Sequence, residues 1–195
     1  MPSKRQYCQN CSYPQSVCLC HAIKPVANNI RVLILRHPSE ARQAKNTVPL
    51  LQLSLASIDV INGEQEGDFK PIRDWCINNK EHVAVLYPNQ NSQDLAETRL
   101  ENRCSLSALL LIDGTWRKAY KIWRSNPWLQ ELNSFHLQDI PSIYQRQSRC
   151  ANSLSTLEAT AGALRLIDGT DTQALLDLLD ARQRLLFSGI KNPAS

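Results

Sequence analysis

The run Ser107-Ala-Leu-Leu-Leu-Ile-Asp113-Gly-Thr-Trp116 constrains the chain most, because an uninterrupted apolar stretch stops at once in a carboxylate, a glycine, a hydroxyl and an indole. A short apolar run closed by turn residues predicts a buried strand, with the polar cluster just past its carboxyl end. Open α/β sheets bind their ligands at that edge. Residues Trp116 to Arg124 read as a helix, so Asp113, Gly114 and Thr115 form a strand-to-helix turn. Such a turn places free backbone N–H donors and the positive end of a helix dipole beside one fixed negative charge.

The same rhythm recurs along the chain. Ile30 to Leu35 predicts a strand, Val48 to Leu55 a short helix after Asn46-Thr47, and Ile58 to Ile61 a strand ending at Asn62-Gly63. Val83 to Tyr87 is a further strand, stopped by Pro88. The polar stretch Gln93 to Glu101 reads as a surface helix or loop, and Phe135 to Leu137 as one more short strand. A capping box, Ser155-Thr-Leu-Glu158, opens a helix to Leu166, and Thr172 to Phe187 forms the terminal helix. Strands alternating with helices predict an α/β fold, a mostly parallel sheet with helices on both faces. Ile112-Asp-Gly-Thr115 has an echo in Ile167-Asp-Gly-Thr170, but the second copy follows a helix, so Gly169 reads as a helix stop before a Thr172 cap.

With 195 residues the chain fits one domain plus a small appendage. Its 43% hydrophobic and 21% charged residues are those of an ordinary water-soluble chain, and no run approaches the roughly 18 apolar residues of a membrane span. The first residues lack the apolar core of a signal peptide, so the expected location is the cytoplasm. A net charge of +4 permits a nucleic-acid partner without requiring one. No Gly-x-Gly-x-x-Gly, phosphate-binding P-loop or Gly-x-Ser-x-Gly elbow is present, which argues against a dinucleotide enzyme, an NTPase or a serine hydrolase of that type.

Four of the seven cysteines crowd into the first twenty residues, as Cys8-x-x-Cys11 and Cys18-x-Cys20, while Cys76, Cys104 and Cys150 are scattered. In a reducing compartment two short chelating turns suit one tetrahedral zinc ion. His21 could replace one sulfur, and free surface thiols or a redox pair are the alternative. A site of four sulfurs leaves no open coordination position and is structural. The expected division is a Cys-rich zinc element over 1–25 and a main α/β domain over 26–195.

Other polar clusters fall where ligands bind. Arg36-His37-Pro38-Ser39-Glu40 follows the first strand; His37 and Glu40 could move protons and Arg36 could hold a phosphate, or the segment is a helix start with Pro38 in its first turn. On the helix after Asp113, Arg117, Lys121 and Arg124 share one side, with Trp116, Tyr120 and Trp123 one residue earlier. Cations beside rings suit RNA, although an amphipathic helix with buried aromatics explains the same spacing. Arg146 and Arg149 add basic charge ahead of the capping box.

Taken together, Asp113-Gly-Thr-Trp116, the two cysteine pairs, His37-Pro-Ser-Glu40, Asn46-Thr47, Tyr87-Pro88 and Ser155-Thr-Leu-Glu158 resemble the DTW-domain family, the tRNA-uridine aminocarboxypropyltransferases. The resemblance runs from Cys8 to the terminal helix. It implies transfer of the 3-amino-3-carboxypropyl group of S-adenosylmethionine to N3 of a tRNA uridine, giving acp3U and methylthioadenosine. Bacterial-type members imply a uridine in the variable loop. It also implies a SPOUT-like fold with a C-terminal knot, which sequence patterning would never propose.

On that resemblance Asp113 is the candidate general base for the uracil N3–H. Leu86, Tyr87, Pro88, Ile112, Gly114, Thr115, Trp116, Ser155, Thr156 and Glu158 are candidate cofactor-side residues, several acting through backbone groups; Trp116 could equally be core. Arg36, His37, Glu40, Arg117, Lys121, Arg124, Arg146 and Arg149 are the candidate tRNA contacts, and Cys8, Cys11, Cys18 and Cys20 the zinc ligands. The expected partner is tRNA, with no membrane and no obligate protein partner. A SPOUT-like RNA methyltransferase and a zinc-containing RNA-binding module without catalysis are the alternatives.

Overall fold

Among the described residues six strands form one sheet in the order β2-β1-β5-β3-β6-β4, and every ladder in it is parallel. They are β1 (Arg31–Arg36), β2 (Ile58–Asn62), β3 (Val83–Leu86), β4 (Gln93–Asp94), β5 (Ala108–Asp113) and β6 (Asn133–His136). The computed structural model describes residues 6–144 and 154–188. The helices are α1 (Val48–Ser54), α2 (Lys70–Asn78), α3 (Leu100–Cys104), α4 (Trp116–Ser125), α5 (Thr156–Asp168) and α6 (Gln173–Ser188).

Side chains on successive strand residues point to opposite faces, so each apolar strand feeds two cores. Val32, Ile34, Leu109 and Leu111 join Leu50 and Leu51 of α1, Leu157 and Leu164 of α5, and Leu178 of α6. Leu33, Leu35, Val85 and Leu110 join Phe69, Ile72 and Cys76 around α2, and Ala119 and Ile122 of α4. The unbroken apolar spelling of β1 and β5 is therefore required, since both faces are covered. Burying each such leucine contributes roughly 1.5–3 kcal/mol.

The chain leaves β1 toward α1 on one face and leaves β5 toward α4 on the other. Adjacent strands whose connections diverge in this way open a crevice at their carboxyl ends, the place where doubly covered sheets bind ligands. Arg36 and Asp113 are paired in register at the two strand ends, so both chains enter the crevice at one level.

The predicted strands and helices recur with small shifts at their ends. One stretch differs: Gln93-Asp94 is a two-residue edge strand beside β6, and the helix begins only at Leu100. Its polar spelling hides a strand that pairs along one edge, yet the next residue, Leu95, is fully buried. Helix α2 was not foreseen, because Ile72 and Cys76 are its only buried side chains among charged neighbours. Gly169 ends α5 in the left-handed conformation, φ +70°, as its helix-stop reading requires. The N-terminal segment docks on the first core through Leu19, and Val26 N–H donates to Ser54 O at 2.8 Å. Residues 145–153, between β6 and α5, lie outside those described.

Candidate active site at the carboxyl edge of the sheet

Asp113 is the last residue of β5 and is only 5% exposed. Its Oδ2 accepts from Asn46 Nδ2 at 2.7 Å and its Oδ1 accepts from Thr156 Oγ1 at 2.6 Å. Burial pushes the Asp113 carboxyl above its ordinary value; the bonds from Thr156 and Asn46 pull the other way, Glu40 nearby adds to the rise and Arg36 opposes it. A buried carboxylate fixed by two donors and raised in basicity is equipped to accept a proton.

Three helix starts converge on this group. Asn46 Oδ1 accepts from Val48 N–H at 2.8 Å, and Thr47 Oγ1 accepts from Leu157 N–H at 3.3 Å, so the entry to α1 is tied to the entry to α5. At α5, Ser155 Oγ accepts from Glu158 N–H at 3.2 Å while Glu158 Oε2 accepts from Ser155 N–H at 2.7 Å, closing the capping box. Glu158 also accepts from Ile143 N–H at 2.7 Å and Ser142 Oγ at 2.9 Å. Its carboxylate thus pins the 142–144 segment over the helix start. Helix α4 differs, since Thr115 occupies its N-cap without a side-chain cap bond. The N–H groups of Trp116, Arg117 and Lys118 consequently have no partner within the helix.

Gly114 lies between β5 and α4 where a Cβ would meet Lys118 Cβ at 3.1 Å and His37 Cβ at 3.7 Å. The backbone there is approached from both sides. His37 follows β1, and its N–H donates to Asp113 O at 3.0 Å. Its Nδ1 accepts from Ser39 N–H at 3.2 Å, which assigns the ring proton to Nε2, 2.9 Å from Glu64 Oε2. Lys121 Nζ is 2.8 Å from Glu64 Oε1, and the hydrogen bonds from Lys121 first and then His37 hold the Glu64 carboxyl below the usual carboxylate range. Glu40 pairs with Lys118 at 2.7 Å, and Arg36 Nε donates to Asn62 Oδ1 at 2.7 Å. The segment Pro38–Glu40 is a 3-10 turn capped by His37, so the helix-start reading describes its backbone.

Among the candidate RNA contacts on α4, Arg117 and Arg124 are exposed, and Lys121 is exposed but paired to Glu64. Trp116 and Tyr120 are 51% and 55% exposed, so Trp116 is not a core residue. Trp123 is buried and stacks on Tyr87 with ring centroids 4.8 Å apart. That stack joins the end of β3 to α4; Leu86 and Ile112 are half-buried and Pro88 is exposed. A groove of about 830 Å³ begins here, lined by Tyr87, Pro88, Tyr120 and Arg124 and then by the amides of Asn89, Gln93 and Asn133. Asp113 does not line it; the catalytic candidate is in the crevice beside the groove. Arg146 and Arg149 lie outside the described residues.

Cys8, Cys11, Cys18 and Cys20 bring their sulfurs within 4.8 Å of one another. Cys8 and Cys20 Sγ are 3.5 Å apart and Cys11 and Cys18 Sγ 3.8 Å. Tetrahedral zinc with bonds of about 2.3 Å needs sulfurs about 3.8 Å apart, so the four fit one ion without His21. Backbone N–H groups of Cys11 and Asn10 lower the Cys8 thiol to about 6, while Cys20 is pushed up to about 12 by its bond to Cys8. N–H groups aimed at a thiolate are what a bound divalent ion would also favour. The remaining described cysteines are apart from the cluster: Cys76 is core and Cys104 exposed.

Sequence reasoning gave Asn46 no role, and did not single out Glu64 or Lys118. The local signal for Asn46 was its position just ahead of α1, which identifies a helix entry but not a partner 67 residues away. Glu64 directly follows the Asn62-Gly63 turn, a carboxylate at the same sheet edge, which was the available clue.

The chain is 32% identical over 177 residues, 86% of its length and 58% of the relative's, to a Macaca fascicularis protein named tRNA-uridine aminocarboxypropyltransferase 2. It is 30% identical over 179 residues, 86% of its length and 68% of the relative's, to a Drosophila melanogaster protein of the same name. An Arabidopsis thaliana protein named tRNA-uridine aminocarboxypropyltransferase A is 42% identical over 57 residues, 28% of the chain and 22% of that protein. Over the macaque and mouse relatives the chain spans 58% and 57% of their lengths. No solved structure matches. The DTW domain matches residues 5–186, nearly the entire chain, and this chain belongs to the DTW domain family.

Proposed function

We propose that this protein transfers the 3-amino-3-carboxypropyl group of S-adenosylmethionine to N3 of a tRNA uridine, in the variable loop, with Asp113 as general base. The observation that carries the reading is the Asp113 carboxylate, buried at the crevice and raised in basicity between Asn46 and Thr156. The names of the relatives support the reaction class. The cytoplasm is the compartment this reading implies; no described helix is long and apolar enough to cross a membrane.

S-adenosylmethionine supplies a γ-carbon made electrophilic by the adjoining sulfonium, so that N3–C bond formation with C–S cleavage leaves the electron pair on the neutral sulfur of methylthioadenosine. Asp113 takes the N3 proton as the bond forms, because uracil N3 is a weak nucleophile until it is deprotonated. Thr156 and Asn46 hold that carboxylate in one orientation. The uncapped N–H groups at the start of α4 are suited to the carboxylate of the transferred group, and Gly114 lets a ligand approach the backbone closely. Tyr87, Pro88, Leu86, Ile112 and Ser155 shape the cofactor side. Trp116 and Tyr120 offer exposed rings for bases, with Arg117 and Arg124 for phosphates. The four cysteines hold a structural zinc, and the knot is part of the same proposal.

Purified protein, S-adenosylmethionine and tRNA should give methylthioadenosine and acp3U by mass spectrometry. S-adenosylhomocysteine with a methylated base would replace this reading by methyl transfer, and binding without any change in nucleoside mass would reduce the protein to an RNA-binding module. Elemental analysis of protein purified without chelator should give one zinc per chain.

A further inference from the structure

Arg182, on α6, is 3% exposed, and among the described residues its Nε and Nη1 have no hydrogen-bond partner. A buried guanidinium left with open donors is costly and calls for an explanation. Two contacts surround it. Its guanidinium carbon lies 5.4 Å from the centre of the Tyr13 ring, within cation–π range, and its Nη2 donates to Ala44 O. Tyr13 lies inside the cysteine cluster's own loop, and its carbonyl accepts from Cys8 N–H at 2.8 Å.

On the other side, Ala44 belongs to the exposed turn that ends in Asn46. The turn has no buried side chain before Asn46, so polar bonds place it. Ala44 O accepts from Arg182, Lys45 O accepts from Tyr144 Oη at 2.8 Å, and Asn46 N–H donates to Gln43 O at 2.9 Å. Asn46 then reaches Asp113. A continuous path of contacts runs from the cysteine loop through Tyr13, Arg182 and Ala44 to Asn46 and the Asp113 carboxylate. Four thiolates around a divalent ion retain net negative charge, which favours a cation packed on that same loop.

We infer that Arg182 is a positioning residue that couples the metal-held N-terminal loop to the Asn46–Asp113 hydrogen bond. Arg182 touches no reacting atom. Its importance to turnover rests on the general-base reading of Asp113, whereas the coupling itself does not. Losing the metal frees Tyr13, which frees Arg182 and then the Ala44 turn.

The test follows the Asp113 carboxyl by carbon NMR in full-length, aspartate-labelled protein, with Asp113→Asn to assign the signal. The groups facing Asp113 are Asn46, Thr156, Glu40 and Arg36; Asn46 closes the turn that Arg182 holds, and Glu40, whose carbonyl accepts from Gln43 N–H, opens it. Arg182→Met should move the Asp113 titration upward by about one pH unit, the size of one hydrogen bond to a charged group. Stripping metal from the native protein with a chelator should give a shift of the same sign. Stripping metal from Arg182→Met should add nothing further, and Arg182→Lys, which retains charge and one donor, should restore part of the native value. An unchanged Asp113 titration in Arg182→Met, or shifts that simply add, would overturn the coupling. If Arg182→Met does not fold, Tyr13→Leu probes the same path and is judged by the same two outcomes. Should Asp113→Asn prove active, the base role is lost while these titrations still decide the coupling.

Discussion

The chain contains the tetrapeptide Ile-Asp-Gly-Thr twice, at 112–115 and at 167–170, and the two copies are built differently. The first follows a central strand. Its Asp113 faces the crevice between diverging connections, and both carboxylate oxygens are bound by side chains from distant segments. The second follows a helix, and Asp168 Oδ1 turns back on its own loop, accepting from Thr170 N–H at 3.0 Å and from the Thr170 hydroxyl. The glycines differ as well. Gly169 has φ +70° with nothing near a Cβ, whereas Gly114 needs no special φ and is hemmed in by Lys118 and His37. One copy is a site assembled by tertiary structure, and the other is a self-contained helix terminus. Chemistry at an aspartate depends on who arrives from elsewhere in the chain.

The widest separation between the copies should appear in turnover. Asp113→Asn should lower kcat by about 10² to 10⁴, the effect of a lost general base, while Asp168→Asn stays within about twofold of native. Equal losses at the two positions, measured by methylthioadenosine release, would erase the distinction. Next, Asn46→Ala should lower kcat about tenfold with little change in KM for tRNA, because one bond of the Asp113 carboxylate goes with the tertiary frame. Thr170→Ala, its counterpart in the second copy, should leave both constants alone.

Smaller effects sharpen the contrast through stability. Gly114→Ala is expected to destabilise by about 1–3 kcal/mol through crowding, with activity falling too. Gly169→Ala should destabilise by about 1 kcal/mol through backbone strain at positive φ, with kcat intact. Urea unfolding and steady-state kinetics on the same samples separate these outcomes. The smallest effect concerns pH. The folded-state pKa of Asp113 is raised above its unfolded value, so protonation favours the fold. That contribution is greatest below the ordinary carboxylate range and declines as pH rises through the raised value. Removing the ionised form by Asp113→Asn should therefore leave neutral-pH stability equal or higher by up to about 1 kcal/mol, measured by urea unfolding at acid and neutral pH. Turnover by the native protein should instead rise with pH through the raised Asp113 value, a limb absent from Asp113→Asn.

Elements with a local signature were legible in the sequence. The β5 run, the Ser155–Glu158 capping box and the Gly169 stop all rest on neighbours within four residues, and each was found where expected. The cysteine spacing is likewise local and converges on one point. Position past a buried strand marked Asp113, but nothing in the sequence could pair it with Asn46 or Thr156, since those bonds depend on how three helix starts pack. Helix α2 was missed because its apolar stripe is sparse, and β4 because an edge strand of two residues needs no apolar pattern. The basic stripe on α4 was visible, but Lys121's attachment to Glu64 came from another strand's exit. Local rules specify the elements; the identity of a site's neighbours is set by topology.

The contacts that make the crevice also close long stretches of chain. Asn46 meets Asp113 across 67 residues, Thr156 meets it across 43, and Thr47 meets Leu157 across 110. Contacts so distant in sequence slow folding, because loop entropy is lost before they can form. Local caps such as the Ser155–Glu158 box can form while Asp113 still lacks its partners, whereas the central ladder itself pairs Val32 with Leu109, 77 residues apart. The competent crevice therefore forms no earlier than the central ladder, and a chain that has only its local structure carries a recognisable turn and helix around an aspartate that titrates like any other.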